Sequence, residues 1–334
     1  MQSRTGGTEN HGISRRRAIV TLALGGPAFA IISRQAWAQE SQIKIAIGQR
    51  GNWDSSVCEM GQNAGIFKRH GIALGITYTQ GGGETIQAVM SQSVDMGAAA
   101  GTLGVLGAIA KGAPLRIIGG EMTGVNEMYW YVKKSSPIKS MKDLDGKTVG
   151  FSTIGSSTHQ AALNLQAQEN PSMQLVASGA LPTTFTQVMS GQIDVGWSSA
   201  PFGLDRMDSD IRELFRGDGA TSMRDQTVRS FICHARGLET RREEFTRFFA
   251  AYRETLDWLY SSNEAVETYA KFAGISDKAA MRTRNDYFPK AALDPSRFTA
   301  IDKLVADGVK FKFLANPLTE AQLREGVQII ATAN

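Results

Sequence analysis

The sequence predicts an α/β protein of two similar lobes, with mixed, mostly parallel sheets and a helical C-terminal region. Two segments, VMSQSVDMG at 89–97 and VMSGQIDVG at 188–196, repeat one another 99 residues apart, which indicates one structural unit used twice. Strand and helix patterns alternate around both copies, as in sheets that are covered by helices on both faces. From residue 239 onward, apolar residues recur with helical spacing.

Each copy of the repeat predicts a short amphipathic helix that leads into a buried strand, because apolar residues precede it at positions i, i+3 and i+4. The acids Asp95 and Asp194 occupy matched positions in the two copies. We expect each of them to hold a turn or a helix end rather than to form a catalytic pair. Two lobes also leave a cleft between them, where small ligands usually bind.

In chain order, the first lobe begins with a series of alternating strands and helices. Its predicted strands are 43–47, 72–79, 94–98 and 115–119, and its predicted helices are 55–70, a helix opened by 81–83, and 101–111. The second lobe repeats the pattern with strands 148–151, 175–177 and 193–197, helix 157–168, the second repeat helix, and a helix that begins at Pro201. Extended segments at 127–133 and 227–233 connect the lobes, and later helices are predicted near 263–273, 277–286, 295–308 and 319–332.

The N-terminal segment predicts export. The residues Ser14-Arg15-Arg16-Arg17 precede an apolar run over 18–32, and the segment closes on Ala36-Trp37-Ala38. This is typical of a twin-arginine signal peptide cleaved between Ala38 and Gln39. An ordinary secretory signal peptide that is rich in arginine is the alternative. The run is shorter than the roughly 20 residues that span a bilayer. We therefore expect a periplasmic protein whose mature chain is not embedded in the membrane.

Removal of the signal changes the charge balance. Five arginines and one acid lie in 1–38, which leaves 31 basic and 31 acidic residues in the mature chain. The basic character therefore gives no reason to expect a nucleic-acid partner. Cys58 and Cys233 are expected to be two buried thiols, with a disulfide between them as the alternative. The three mature histidines are widely scattered, so we expect neither a metal site nor a cofactor.

These observations divide the chain into a signal peptide over 1–38, a first lobe over 39–126 together with 234–334, and a second lobe over 127–233 that includes the connecting segments. The C-terminal helices have no strands of their own, so we expect them to pack on the first lobe. About 300 residues also exceed what one hydrophobic core usually holds.

Several segments together resemble the nitrate/sulfonate/taurine class of ABC-transporter solute-binding proteins, within the superfamily that includes the thiamine-pyrimidine synthases. They are GIFKRHGI at 65–72, SQSVDMG at 91–97, SMKDLDGK at 140–147 and GSSTH at 155–159, together with the predicted export signal at the N-terminus. The resemblance implies a type II periplasmic binding fold, with hinges near 127–133 and 227–233. It also implies a monomer without catalytic residues that closes on a small solute and delivers it to an inner-membrane ABC permease.

The residues that follow the carboxyl ends of the predicted strands are the candidate ligand-binding residues, because ligands of open α/β sheets bind there. In the 155–159 turn, Gly155 permits close approach, Ser156 caps the helix, and the amides of Ser157 and Thr158 face a polar or anionic group. The first-lobe candidates are Trp53, Asp54, Gly82, Ala99, Gly101 and Thr102. The remaining second-lobe candidates are Thr153, His159, Ser198 and Pro201.

The roles of some candidates stay open at this point. Trp53 could stack on a ligand and Asp54 could accept hydrogen bonds, or either could be structural. We expect a small, anionic organic solute such as a sulfonate or a carboxylate. Asp54 or Glu121 in the cleft would instead favour a zwitterion, an amine or a neutral heterocycle.

Two other functions are alternatives. One is an enzyme of the thiamine-pyrimidine-synthase type, whose cysteine-rich motif this sequence lacks. The other is a binding protein that serves a sensor kinase.

Overall fold

The structure is a computed structural model that describes residues 40–169 and 172–331. The predicted signal peptide and its cleavage site after Ala38 lie outside the described residues. Within the described ranges, no helix combines the length and the apolar character needed to cross a membrane.

The described residues form ten strands and eleven α-helices. In chain order the strands are β1 (Ser41–Gly48), β2 (Ile72–Thr79), β3 (Met96–Gly101), β4 (Leu115–Thr123), β5 (Met128–Lys133), β6 (Thr148–Phe151), β7 (Gln174–Ala177), β8 (Gly196–Ser199), β9 (Ile211–Arg216) and β10 (Thr227–His234). The helices are α1 (Trp53–Asn63), α2 (Ile66–Arg69), α3 (Gly82–Met90), α4 (Thr102–Ala110), α5 (Ser157–Glu169), α6 (Leu181–Ser190), α7 (Ala235–Ser261), α8 (Asn263–Ala273), α9 (Asp277–Arg282), α10 (Ile301–Lys310) and α11 (Glu320–Gly326).

The first sheet has the strand order β2-β1-β3-β10-β4. Strand β1 is parallel to β2 and β3, whereas β10 is antiparallel to β3 and β4. Ile43, Ile45 and Ile47 of β1 are all fully buried. Apolar strands of this kind are expected in a largely parallel sheet that helices cover on both faces.

The second sheet repeats this order. Strands β8, β5 and β9 pair in one group and β6 pairs with β7 in another. A parallel bridge between Val149 and Val195 joins β6 to the residue before β8, which gives the order β7-β6-β8-β5-β9. Strand β5 is antiparallel to both of its neighbours, as β10 is in the first sheet. The sequence repeat therefore corresponds to two sheets of one design, and the predicted fold class is confirmed.

The repeated acids hold the same local contact in both lobes. Asp95 accepts a hydrogen bond of 2.8 Å from the backbone nitrogen of Lys44 in β1. Asp194 accepts one of 2.9 Å from the backbone nitrogen of Thr148 in β6. Each acid thus connects the segment before the third strand of its sheet to the first strand. The prediction of a structural role for this pair is confirmed.

The C-terminal helices pack against the first lobe, as expected. Phe245, Phe248 and Phe249 of α7 are fully buried, and Phe248 and Phe249 contact Phe231 of β10 edge to face. Each buried phenylalanine stabilises the fold by roughly 1.5–3 kcal/mol. The segment after α11 bridges to the first sheet between Val327 and Ile117.

Strand β10 corrects the predicted role of residues 227–233. The sequence placed this segment with the second lobe as a connection, but it forms a strand of the first sheet between β3 and β4. Strand β5, which contains the other predicted connection, belongs to the second sheet. The chain therefore crosses between sheets before each strand, at 124–127 and at 217–226.

Some predicted helices are shorter or absent. The segment 55–70 divides into α1 and α2, because Gly65 between them has a left-handed φ of 70°. The prediction of a helix from Pro201 is wrong, since residues 200–205 form turns. There the carbonyl of Phe202 accepts hydrogen bonds from the side chains of Tyr129 and Ser198. Cys58 and Cys233 are free and buried, as expected.

Candidate functional site

A small cavity lies between the two lobes where the carboxyl ends of β1, β3, β6 and β8 meet. Its volume is about 30 Å³, which is room for water rather than for an organic molecule. The cavity receives the loops and helix starts of both sheets, the position at which α/β folds bind ligands. A larger ligand could enter only if the lobes moved apart.

The second-lobe wall is built around the start of α5. Gly155 has a φ of +84°, which turns the chain into the helix, and Ser156 Oγ accepts a 3.1 Å hydrogen bond from His159 N. The predicted cap is therefore confirmed. Ser156, Ser157 and Thr158 line the cavity. The first amides of a helix have no intrahelical acceptor and carry the positive end of the helix dipole, so this wall favours polar or negative groups.

The first-lobe wall comes from the loop after β1 and the start of α3. Gln49, Asn52 and Asp54 line the cavity, together with Gly82 and Ala99. Asn52 is the residue that precedes α1, and Asp54 lies in the first turn of that helix. The side chains of Asn52 and Asp54 are almost completely buried, so the wall presents polar groups in a site with little access to bulk water.

Arg229 joins the two walls from the strand β10. Its Nη2 lies 2.8 Å from Asp54 Oδ2 and its Nη1 lies 2.6 Å from Glu127 Oε1. Nη1 also lies 3.4 Å from Ser157 Oγ in the second lobe. All three charged side chains of this network are at most 8% exposed. We name Arg229, Asp54, Glu127 and Glu121 the buried charge cluster.

Two carboxyl groups of the buried charge cluster, those of Glu121 and Glu127, have raised pKa values. Burial, with a further contribution from the charge of Asp54, raises the pKa of Glu121 to about 8. Burial also raises the pKa of Glu127, against the opposing effect of Arg229. Glu121 accepts a hydrogen bond from the backbone nitrogen of Ala99, which ties β4 to the cavity wall. Near neutral pH, Glu121 is therefore mainly protonated.

The variant Glu121→Gln is expected to flatten the pH dependence of stability. Because the folded pKa lies above the unfolded value of 4.5, folding takes up a proton between about pH 4.5 and 8, and this stability is lost as pH rises through that window. The glutamine side chain keeps an oxygen atom that can accept the hydrogen bond from Ala99 N, and it cannot ionise. Urea unfolding should show similar stability for both proteins at pH 5 and a variant that is more stable by about 3–5 kcal/mol at pH 9. Parallel pH profiles would contradict this assignment.

Six of the sequence-predicted residues line the cavity. They are Asp54, Gly82, Ala99, Ser156, Ser157 and Thr158. The loops predicted from strand ends therefore do converge on one place.

Trp53 and Thr102 lie in the first lobe away from the cavity wall. The Trp53 indole is buried, packs edge to face on Tyr269 and donates a 3.0 Å hydrogen bond to Tyr260 Oη. It therefore cannot stack on a ligand there, because other aromatic rings surround it. Thr102 Oγ1 forms a 2.6 Å hydrogen bond with Ser230 Oγ, which engages its hydroxyl inside the lobe.

Ser198 and Pro201 also lie off the cavity wall. Successive side chains of a strand point to opposite faces, so Trp197 and Ser199 of β8 face the cavity and Ser198 faces away. Ser198 Oγ donates a 2.9 Å hydrogen bond to the carbonyl oxygen of Phe202. Pro201 lies in the turn that follows.

Thr153, Gly155 and Gly101 contribute to contacts between the lobes. Thr153 Oγ1 accepts a 3.0 Å hydrogen bond from Gly83 N. A Cβ atom on Gly83 would lie 2.2 Å from the Ile154 carbonyl oxygen, and one on Gly101 would lie 2.2 Å from the Gly155 carbonyl oxygen. We name Gly83, Gly101 and Gly104 the glycine seam, because their lack of side chains lets the lobes approach at the 153–156 loop.

His159 lies on the far side of that loop. Its ring stacks on Phe151 at 4.2 Å, and burial lowers its pKa to about 4. Together with Gly155 it borders an open groove of about 630 Å³ between α3, α4 and the 311–313 segment. No residue that lines this groove belongs to a strand, and its wall is mostly apolar. The smaller cavity therefore has the chemistry of a polar ligand site.

Sequence reasoning missed two wall residues with large side chains, Arg229 and Trp197. A signal for Arg229 was present, because it is a single charged residue in the otherwise uncharged strand TVRSFICH, and a buried arginine is rarely left unpaired. The strand alternation in β8 also offered a signal for Ser199 in place of Ser198.

A family model described as NMT1/THI5 like matches residues 54–265. No curated protein matches the chain by sequence. By structure, the chain is similar to the alkanesulfonate-binding protein SsuA from Xanthomonas axonopodis pv. citri bound to MOPS, with 19% identity, a TM-score of 0.70, and coverage of 87% of this chain and 99% of that chain.

Two further structures share the fold at similar coverage. The Candida albicans CA3427 gene product, described as having the generic periplasmic binding protein fold, has 16% identity, a TM-score of 0.66, and coverage of 86% and 96%. The desulfurization enzyme DszB has 15% identity, a TM-score of 0.56, and coverage of 87% and 97%. The family model spans more than half of the sequence, and the protein therefore belongs to the NMT1/THI5-like family and has the periplasmic binding protein fold.

Proposed function

We propose that this protein is an extracytoplasmic receptor that closes two lobes around a small polar organic solute and delivers it to an inner-membrane ABC importer. The observation that carries the proposal is the convergence of helix starts and strand ends from both lobes on one polar cavity. A solute held there would contact both lobes only in the closed form, so its binding energy would shift the balance toward closure.

The start of α5 supports a negatively charged or strongly polar group on the solute. The amides of Ser157 and Thr158 supply donors together with the positive end of the helix dipole. This is the basis for proposing an acid or a sulfonate at that end of the cavity. The SsuA protein named above binds an alkanesulfonate, which is consistent with the proposal.

An enzyme on the same fold is the second candidate, since DszB is an enzyme with a similar structure. Among the described residues, the cavity is lined by hydroxyl, amide, carboxylate and guanidinium groups, and neither cysteine is among them. Cys58 is buried in α1, and burial raises the pKa of its thiol, which disfavours the thiolate. A non-catalytic receptor fits this set of side chains better than a cysteine enzyme does.

The proposal is tested by measuring solute binding to residues 39–334 in solution. Thermal unfolding with sulfonates, carboxylates and nitrogen heterocycles should identify a ligand, because a compound at about 100 times its Kd stabilises by roughly 2.7 kcal/mol. Trp197 lines the cavity, so its fluorescence should change when that ligand binds. Small-angle scattering should then show a more compact protein with the ligand than without it. Conversion of the compound to a product would favour the enzyme instead.

The variant Ser157→Pro is expected to weaken binding much more than it weakens folding. Proline removes the Ser157 amide from the cavity wall, yet it is well tolerated at the first position of a helix. Loss of a hydrogen bond to a charged group should reduce affinity by about 10- to 100-fold. Calorimetry measures the affinity and urea unfolding measures the stability. The control Ser157→Ala keeps the amide, and equal losses of affinity in both variants would contradict the role of that amide.

A further inference from the structure

Asp307 of α10 is a nearly buried carboxylate that meets three side-chain amides. It is 8% exposed. Its Oδ2 atom accepts hydrogen bonds from Gln160 Nε2, Asn164 Nδ2 and Gln226 Nε2, at 3.3, 3.2 and 2.9 Å respectively. All three donors are neutral, whereas buried carboxylates are usually paired with a cation. Hydrogen bonds to a charged acceptor are roughly twice as strong as bonds between neutral groups, so these contacts hold their members firmly together.

The three donors come from the second lobe and from a crossing segment. Gln160 and Asn164 lie four residues apart on α5, so they share one face of that helix. Gln226 is the last residue of the crossing segment at 217–226, and its side-chain oxygen accepts a 2.7 Å hydrogen bond from Gln160. Ser222 of the same segment donates a 2.9 Å hydrogen bond to the Asn164 side chain. The crossing segment and α5 are therefore joined to each other as well as to α10.

Helix α10 itself belongs to the first lobe. Leu304 of α10 is fully buried in one hydrophobic cluster with Leu106 of α4 and Ile117 of β4. Helix α5, in contrast, follows β6 of the second sheet. The Asp307 carboxylate therefore connects the two lobes directly, and a separation of the lobes would pull α5 away from it.

Asp307 acts on the helix whose start forms the second-lobe wall of the cavity. Ser157 and Thr158 begin α5 and line the cavity. Gln160 follows within the same turn, and Asn164 lies one turn further along. Successive turns of a helix are joined by backbone hydrogen bonds, so a contact that fixes Gln160 also fixes the amides at the start of the helix. The position of this wall thus depends on a contact that lies outside the cavity.

We propose that Asp307 is a positioning residue that holds the two lobes in the closed arrangement, because it binds α5 of the second lobe to α10 of the first. The contact involves only groups of the protein, so it acts before a solute binds, and the closed form is populated without solute. Its consequence for binding rests on the proposed receptor function. A solute that meets a wall already in place binds more tightly, since less of its binding energy is used to close the lobes.

The test measures the distance between the lobes in residues 39–334 without any solute. Spin labels are attached through Gln87→Cys in α3 and Thr186→Cys in α6, two exposed positions in opposite lobes. These helices begin where Gln80 Oε1 accepts a 3.2 Å hydrogen bond from Ala180 N across the cleft, so the distance between the labels should grow when the lobes separate. The native cysteines are buried and should stay unlabelled. Pulsed electron resonance on the wild type should show both the short distance of the closed form and a longer one.

Two variants of Asp307 and a matched control identify the cause of closure. Asp307→Ala removes the acceptor and should lower the ratio of short to long distances at least about tenfold. Asp307→Asn keeps the shape of the side chain and one oxygen but loses the charge, so its ratio should lie between those of Asp307→Ala and the wild type. The control Asp302→Asn removes an exposed carboxylate from the first turn of the same helix, and it should leave the ratio unchanged.

The inference is wrong if the wild type shows the long distance alone, if Asp307→Ala leaves the distribution of distances unchanged, or if Asp302→Asn lowers the ratio as much. A fall in Tm with an unchanged distribution would likewise assign Asp307 to the stability of the fold alone. Because no solute is present, these results do not depend on whether the protein binds one. The receptor function is tested separately, by thermal unfolding with candidate solutes.

Discussion

The variant Gly104→Ala is expected to bind solute much more weakly than the wild type while the protein stays at least as stable. Gly104 lies in the first turn of α4 and belongs to the glycine seam. A Cβ atom at this position would lie 2.3 Å from the carbonyl oxygen of Gly155, in the backbone of the opposite lobe. Backbone atoms cannot move away as a flexible side chain can, so the lobes would have to separate.

Opposite effects on folding and on binding make this variant informative. Within a helix, alanine is more favourable than glycine by about 1 kcal/mol, so the first lobe itself should gain stability. Overpacking at a tight contact costs about 1–3 kcal/mol. This cost affects only the closed form, so the affinity for the solute should fall by roughly 5- to 150-fold. Calorimetry and urea unfolding measure the two effects separately.

The matched control is Gly237→Ala in α7. There a Cβ atom would meet nothing closer than 3.8 Å, the distance to the ring of Phe245. This variant should gain helix stability in the same way and bind solute with unchanged affinity. If Gly104→Ala also binds with unchanged affinity, then the contact between α4 and the 153–156 loop is not part of the closed, ligand-bound form.

The parts of the fold that depend on local pattern could be predicted from the sequence. The repeat predicted two units of one design, and the structure shows two sheets with the same strand order. The structural role of Asp95 and Asp194 also followed from their matched positions. The capped start of α5 followed from a glycine and a serine at adjacent positions, because capping is a local interaction.

The residues that were misplaced depend on long-range packing instead. Trp53 lies one residue before Asp54, yet it packs against Tyr260 and Tyr269 from helices about 200 residues later in the chain. No local sequence pattern predicts a contact with residues so far along the chain. The network around Arg229 likewise joins α1, the crossing segment before β5, and β10. It forms only after β10 has paired between β3 and β4, and the sequence had assigned that segment to a connection.

Replacement of Arg229 by methionine is expected to destabilise the protein strongly and to abolish binding. The guanidinium contacts Asp54 at 2.8 Å and Glu127 at 2.6 Å, and all three side chains are almost completely buried. Removal of one partner from a buried ion pair leaves an uncompensated charge and costs about 3–5 kcal/mol. Urea unfolding at pH 7 measures this loss, and a variant within 1 kcal/mol of the wild type would contradict the assignment.

The pH dependence and a compensating variant identify the cause of the loss. Burial raises the pKa of Glu127, and protonation neutralises its unpaired carboxylate, so the deficit of Arg229→Met relative to the wild type should shrink as pH falls from 7 to 5. The triple variant that adds Asp54→Asn and Glu127→Gln should recover most of the lost stability, because it leaves no unpaired charge. It should not recover binding, since both the guanidinium and the Asp54 carboxylate face the cavity. If the triple variant binds solute normally, the buried charge cluster contributes only to the stability of the fold. If stability recovers and binding does not, the cluster contributes both to stability and to solute binding.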